Sequence, residues 1–284
     1  MKRVLVIGDL NEKLTSVLDK CKEDKLIEGY VNYQIYNEAH KNVNDGLHLN
    51  NASLSNVDFC DMFLTSTNGS ELENDWIILK GDIHTDNFLR ILIKFEKYNA
   101  EDSVFLSHIL HLTSPDKKIS CYLSDGALNT KQMEDFHIYL KIINNAQEYI
   151  LNHKKGVSKI DPVINTSVIL AAKNKNIPGY DTVMGDYAWA SIDRHHIQVQ
   201  QFDECFSADA WLLKNKDADP MMFTYPDLLI TPDITVGNVI WKSLTILNNW
   251  SAEGYVIGGR LSTILLSRSD SAENYYNSIK SLCK

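Results

Sequence analysis

The segment Tyr255-Val-Ile-Gly-Gly-Arg-Leu-Ser-Thr-Ile-Leu-Leu-Ser267-Arg268-Ser-Asp270-Ser-Ala-Glu273 decides how this chain is read. From Ser262 to Leu266 it is β-branched and Leu-rich, the pattern of a strand buried on both faces of a parallel sheet. Beyond it, Ala272, Tyr276, Ile279 and Cys283 recur at three-to-four spacing and predict an amphipathic helix. The turn between them supplies a hydroxyl (Ser267), a guanidinium (Arg268) and a carboxylate (Glu273). It sits at the carboxyl end of a strand, where open α/β sheets place ligands, and its groups suit a phosphate. A capping role competes for the same residues, because Asp270 followed by Glu273 also reads as an N-cap and its reciprocating partner.

Working outward, apolar runs fit for buried strands recur at Val4–Ile7, Trp76–Leu79, Val104–Leu110, Ile119–Leu123, Val168–Ala171, Ile197–Val199, Leu228–Ile230 and Tyr255–Ile257. Helix-period segments at Asn87–Tyr98, Lys131–Asn152 and Val236–Asn249 fall between them. Strand alternating with helix predicts an α/β fold with mostly parallel sheets. A length of 284 residues exceeds what one core usually serves, so two domains are expected. Residues 40–74 are rich in Asn, Ser and Gly and read as surface connections.

Composition narrows the function. No apolar run is long enough to cross a bilayer, and Asp9 and Glu12 interrupt the apolar start before a signal-peptide core forms, so a cytoplasmic protein is expected. A formal net charge of −9 speaks against nucleic-acid binding, which draws on clustered cations. The five cysteines contain no CxxC pair, and the adjacent His195-His196 would point to opposite faces of a strand, so no metal site is expected. The glycine-rich phosphate loops of nucleotide-binding proteins are absent, and Gly8-Asp9 reads only as a turn. Cys121 reads as a small buried hydrophobe, and the five tryptophans as packing residues.

Two further turns share the character of the first. Lys80-Gly-Asp-Ile-His-Thr85-Asp-Asn-Phe-Leu-Arg90 follows the Trp76–Leu79 strand and runs into a helix. Thr85 can cap that helix, the exposed amides would attract an anion, and Arg90 can reach back over the first turn. Leu228-Leu-Ile-Thr-Pro-Asp233-Ile-Thr-Val-Gly237-Asn238-Val-Ile-Trp-Lys242 is again strand, turn and helix start. Each alone is ordinary turn chemistry; three at strand ends point to a shared ligand.

Together with Leu106-Ser-His108 and Asn277-Ser-Ile279, these segments resemble the phosphate acetyl/butyryltransferase family, more closely its butyryltransferase branch, over about residues 76–284. The resemblance implies two α/β/α domains of isocitrate/isopropylmalate dehydrogenase-like architecture, with an active cleft between them. Domain I would be residues 1–100 plus 255–284; domain II, residues 101–254, would be inserted and would carry the CoA cleft and a homodimer interface. The implied reaction is reversible transfer of a short acyl group, butyryl or branched-chain before acetyl, between coenzyme A and inorganic phosphate. It needs no metal or cofactor. By resemblance Ser267, Arg268 and Glu273 are catalytic, with Ser267 positioning, Arg268 binding phosphoryl oxygens and Glu273 acting as base. Thr85, Arg90 and Arg268 would bind phosphate, and Gly237, Asn238, Lys242 and Arg260 coenzyme A. The chain departs from the family pattern at Asn174, Gln201-Phe202 and Ser262, which raises a second reading: a non-catalytic binder of coenzyme A or an anionic metabolite.

Overall fold

The computed structural model describes residues 1–33, 73–98, 104–129, 136–154, 164, 166–168, 199–201 and 227–283. The readings made for residues 40–72, Asn174, His195-His196 and Phe202 lie outside them, and for Gln201 only its place in a strand is described. In chain order the elements are β1 (Lys2–Ile7), α1 (Glu12–Glu23), β2 (Ile27–Tyr33), β3 (Trp76–Lys80), α2 (Thr85–Tyr98), β4 (Ser107–Thr113) and β5 (Ser120–Ser124). They continue with α3 (Phe136–Lys154), β6 (Thr166–Val168), β7 (Val199–Gln201), β8 (Leu228–Ile230), α4 (Ile234–Lys242), β9 (Ser251–Ile257), β10 (Ser262–Ile264) and α5 (Ala272–Leu282). A π-helical turn, Ser243–Leu247, ends the helix read as running to Asn249. The chain divides into two compact α/β units, residues 1–105 with 253–284 and residues 106–252.

In the first unit the strand order is β2-β1-β3-β10-β9. Strands β2, β1, β3 and β10 are mutually parallel, while β9 runs antiparallel to β10. The apolar tetrad Val4–Ile7 and Ile77–Leu79 are fully buried, as the unbroken hydrophobic runs predict for strands covered on both faces. Each such side chain contributes about 1.5–3 kcal/mol relative to exposure. Two elements escaped the sequence reading. Helix α1 buries Leu14, Val17, Leu18 and Cys21 behind the N-cap Asn11, whose side chain accepts from the Leu14 amide. Strand β2 mixes Glu28, Gly29 and Asn32 among its apolar residues, so its period is obscured.

The buried face of α5 differs from the expected one. Asn274, Tyr275, Ser278 and Ile279 point inward, while Ala272 is exposed. The polar members are tolerated because each is paired: Asn274 Nδ2 donates to Asp270 Oδ1 at 3.2 Å, and Ser278 Oγ accepts the Gly254 amide at 3.3 Å.

In the second unit the order is β4-β5-β8-β6-β7. Strands β5, β8, β6 and β7 are parallel, and β4 runs antiparallel to β5. The sheets are therefore mostly parallel and each parallel strand with a following described helix forms a strand-turn-helix unit. No described helix is long and apolar enough to cross a membrane.

Candidate active site

Three neighbouring parallel strands of the first unit, β1, β3 and β10, each lead through a short turn into a helix: α1, α2 and α5. Parallel neighbours present all three turns at one end, so the mouth is formed by residues near 8–13, 80–85 and 267–273. Its floor is cross-tied. Asp9 and Asp82 form a two-way backbone bridge at 3.3 and 2.9 Å, and the Gly81 amide donates to the Ile7 carbonyl at 2.9 Å. The two glycines make this crossing possible. Gly8 has a φ of +110°, and a Cβ on Gly81 would stand 2.8 Å from the Asp9 carbonyl oxygen. Gly8-Asp9 is thus part of the site's floor and not merely a turn.

The Ser267 turn is braced from several sides. The Asp270 carboxylate accepts the Ser267 amide at 2.6 Å, and the Ser267 carbonyl accepts from the Asp270 amide at 2.9 Å and the Tyr275 hydroxyl at 3.2 Å. Lys13, from the first turn of α1, donates to the carbonyls of Arg268 at 2.8 Å and Asp270 at 2.6 Å. The expected capping pair is corrected by one residue: Ser271 is the N-cap of α5 and accepts the Asn274 amide at 3.1 Å. Asp270 cannot cap because its carboxylate is occupied by Ser267 and Asn274. Glu273 stands exposed in the first turn of α5, engaged in no cap.

Arg268 extends from this turn to the neighbouring one, where its Nε meets Asp82 Oδ1 at 3.0 Å. Held by Nε, the guanidinium has, among the described residues, both terminal amino groups left for another acceptor, the geometry a bidentate oxyanion contact requires. Next to it Lys80 ends β3 and is buried. Burial and the nearby Arg268 charge lower its amine to about 8, against the opposing pull of Asp82. Lys13 and Lys80 escaped the sequence reading. Lys80 carried the better signal, a charge ending a run of apolar residues.

The other expected site residues are placed unequally. Thr85 reaches the mouth but does not cap α2: it is the first helical residue, and the cap position falls on His84, whose carbonyl accepts the Phe88 amide at 3.1 Å. Arg90 is exposed on the same helix, with its backbone about 7.5 Å along the axis from Thr85. Arg260 is not brought to the mouth. It precedes β10, so at about 3.3 Å per residue it lies roughly 20 Å from Ser267, toward the opposite strand end. There its Nη1 pairs with Glu73 at 3.6 Å, and the buried Glu96 carboxylate accepts the amides of Arg260 and Leu261 at 2.9 and 3.0 Å.

Gly237, Asn238 and Lys242 belong to the second unit, where the turns after β5 and β8 lie side by side. The Thr231 amide and hydroxyl donate to the carbonyls of Ser124 at 2.8 Å and Asp125 at 2.9 Å. Asp233 spends its carboxylate capping α4, accepting from Thr235 at 2.7 Å and Val236 at 2.9 Å. Asn238 donates to the Gly126 carbonyl at 2.9 Å. A Cβ on Gly237 would meet Gly126 Cα at 2.9 Å and the Asp125 carbonyl at 3.0 Å, so its missing side chain serves helix-to-turn packing. Gly237→Ala is expected to destabilise by about 1–3 kcal/mol, read as a lower urea midpoint at unchanged slope. An unchanged midpoint would refute the packing role. Lys242 is exposed at the far end of α4. Among the described residues no three His, Cys, Asp or Glu side chains converge to hold a metal ion.

No family model matches the chain. It is 26% identical over 209 residues to phosphate butyryltransferase of Clostridium beijerinckii, an alignment covering 72% of this chain and 66% of that enzyme. With phosphate butyryltransferase of Clostridium acetobutylicum it shares 24% identity over 291 residues, covering 98% of this chain and 91% of that one. The crystal structure of a branched-chain phosphotransacylase from Enterococcus faecalis has the same fold, with a TM-score of 0.68 at 21% identity over 100% of this chain and 99% of that one. These relatives are of one kind, at 23–26% identity over 69–98% of this chain, and it is the phosphate butyryl- and acetyltransferases that the chain resembles.

Proposed function

We propose that the protein transfers a short acyl group reversibly between coenzyme A and inorganic phosphate, with both substrates bound together. The observation that carries this reading is Arg268, pinned to Asp82 through Nε at a mouth where Lys80 adds a buried amine. In the forward direction a phosphate oxygen attacks the thioester carbonyl; the new C–O bond forms as the C–S bond breaks, and the thiolate leaves with a proton. Arg268 holds the attacking phosphate and the charge that develops on it, which lowers the barrier without reorganisation. Ser267 donates its hydroxyl to the reacting thioester. Glu273 exchanges the thiol proton, accepting it from coenzyme A in the reverse direction. Thr85 and Arg90 line the phosphate side, and Lys242 is the exposed cation offered to the phosphates of coenzyme A. Butyryl and branched short chains are the favoured substrates, a preference supported by the names of the relatives. A homodimer is proposed as well, supported by the exposed Val239, Ile246 and Leu247 beside one another along α4 and the π-helical turn.

The test is release of free thiol from acetyl-, butyryl- and isobutyryl-CoA in the presence of phosphate. Release that depends on phosphate supports transfer. Silence with all three, together with calorimetric binding of coenzyme A, would instead establish the non-catalytic binder.

A further inference from the structure

Lys80 opens the Lys80–Arg90 motif and lends the mouth a buried amine, yet it has been given no contact with either substrate. It is 4% exposed, although a lysine at a strand end normally threads its amine to water. An ammonium has three hydrogens to donate. Among the described residues its hydrogen bond goes to the Gly81 carbonyl at 3.4 Å, a long contact. The charges facing it are Arg268 from the β10–α5 turn and Asp82 from its own turn. Asp9 is bridged to Asp82, and Lys13 and Asp270 lie on the adjoining turns. The carboxylate best placed to neutralise it, Asp82, is already engaged by Arg268 at 3.0 Å. Two cations with one carboxylate between them leave a local excess of one positive charge, which draws an oxyanion to the mouth.

We propose that Lys80 is an anion-binding residue of this mouth, meeting a tetrahedral oxyanion together with Arg268 and drawing a proton from water as the anion enters. The identity of that anion as the phosphate of acyl transfer rests on the function proposed above; the binding itself does not. Burial that holds the amine at about 8 supports the proton uptake, because above that pH the empty site is neutral and must be charged before it can bind.

Sulfate tests this, since its charge is constant across the pH range that matters. In calorimetric titrations of the whole protein with sulfate from pH 7 to 9.5, the dissociation constant is expected to rise about tenfold per pH unit above roughly pH 8. Lys80→Arg, whose charge is permanent, is expected to bind sulfate with a flat profile over the same range. Lys80→Met should bind it at least tenfold more weakly at pH 7 while its circular dichroism is unchanged. A titration with coenzyme A alone distinguishes the source of the phosphate. If Lys80→Met loses affinity for coenzyme A and keeps it for sulfate, the lysine serves the phosphates of coenzyme A and the proposal falls. It falls equally if the wild-type constant is flat to pH 9.5, a result that decides the matter even should the methionine variant fail to fold. Sulfate binding as described without thiol release would sink the transferase reading and leave this one standing.

Discussion

Replacing Arg268 by alanine is expected to lower turnover on the order of a hundred- to a thousand-fold while the midpoint of urea denaturation stays within experimental error of the wild type. The separation of the two effects follows from where the side chain is. Arg268 is more than half exposed, and its ion pair with Asp82 is shared with solvent, so the pair adds little to folding. The backbone of its turn is held independently of the guanidinium by Asp270, Tyr275 and Lys13. Removing the side chain therefore leaves the turn in place and takes away only the fork aimed at the anion. Lysine should recover part of the phosphate affinity and little of the turnover, because a point charge cannot make the paired contact. Steady-state thiol release with saturating and limiting phosphate, alongside denaturation curves, measures both. A parallel loss of stability and turnover would make Arg268 a structural residue and remove the observation on which the proposed function stands.

The largest effect on folding is expected at Asp125, in the second unit. It is fully buried, and its carboxylate accepts the amides of His108 at 3.1 Å and of Ala127 and Leu128 at 2.9 Å each, together with the Asn129 side chain. Its carbonyl also receives the Thr231 hydroxyl. Burial pushes the Asp125 carboxyl above the usual carboxylate range, against the opposing influence of His108 and the amide donors. The side chain thus ties the start of β4 to the turn after β5, and the backbone carbonyl of the same residue adds the turn after β8 to this polar knot. Asp125→Ala would strand the buried His108 amide and deprive the half-buried Ala127, Leu128 and Asn129 donors of their acceptor, and is expected to cost about 3–5 kcal/mol. Asp125→Asn keeps the shape and one accepting oxygen and should cost less. Urea midpoints rank the three proteins, and amide exchange at Ala127 and Leu128 reports the knot directly. Equal midpoints for all three would show that these donors find other partners. The resemblance placed nothing at this position, because a lone aspartate after an apolar strand reads as turn chemistry.

What was legible in the sequence was local. The periods of two and of three to four residues placed most strands and helices within a few residues, and unbroken apolar runs such as Val4–Ile7 and Ile77–Leu79 announced parallel strands buried on both faces. Turns with Gly, Ser, Thr and Asp after those runs marked the strand ends. Strand β2 was missed because polar residues dilute its period, whereas α1 was missed although Leu14, Val17, Leu18 and Cys21 keep a helical spacing. The hairpin that turns β9 antiparallel to β10 carries a Gly258-Gly259 signal, yet its hold on the buried Glu96 comes from a helix more than 150 residues away in sequence.

Strand neighbours are set by hydrogen bonds between residues distant in the chain, and only the tertiary structure could give them. The order β1-β3-β10 brings Lys13, Lys80, Asp82 and Arg268 to one mouth, and the direction of β10 carries Arg260 away from it. Close packing against Gly126 gives Gly237, read from the sequence as a coenzyme A residue, a packing role that only the fold discloses. The opening segment shows both sides. Its strand, turn and helix and the polar equipment of Ser267, Arg268 and Glu273 were written in the residues themselves, because local periodicity and side-chain chemistry need no neighbours. That Ser271 rather than Asp270 caps the helix, and that Arg268 is held by Asp82 beside a buried lysine, was decided by the fold, because burial and charge pairing depend on what long-range packing places alongside.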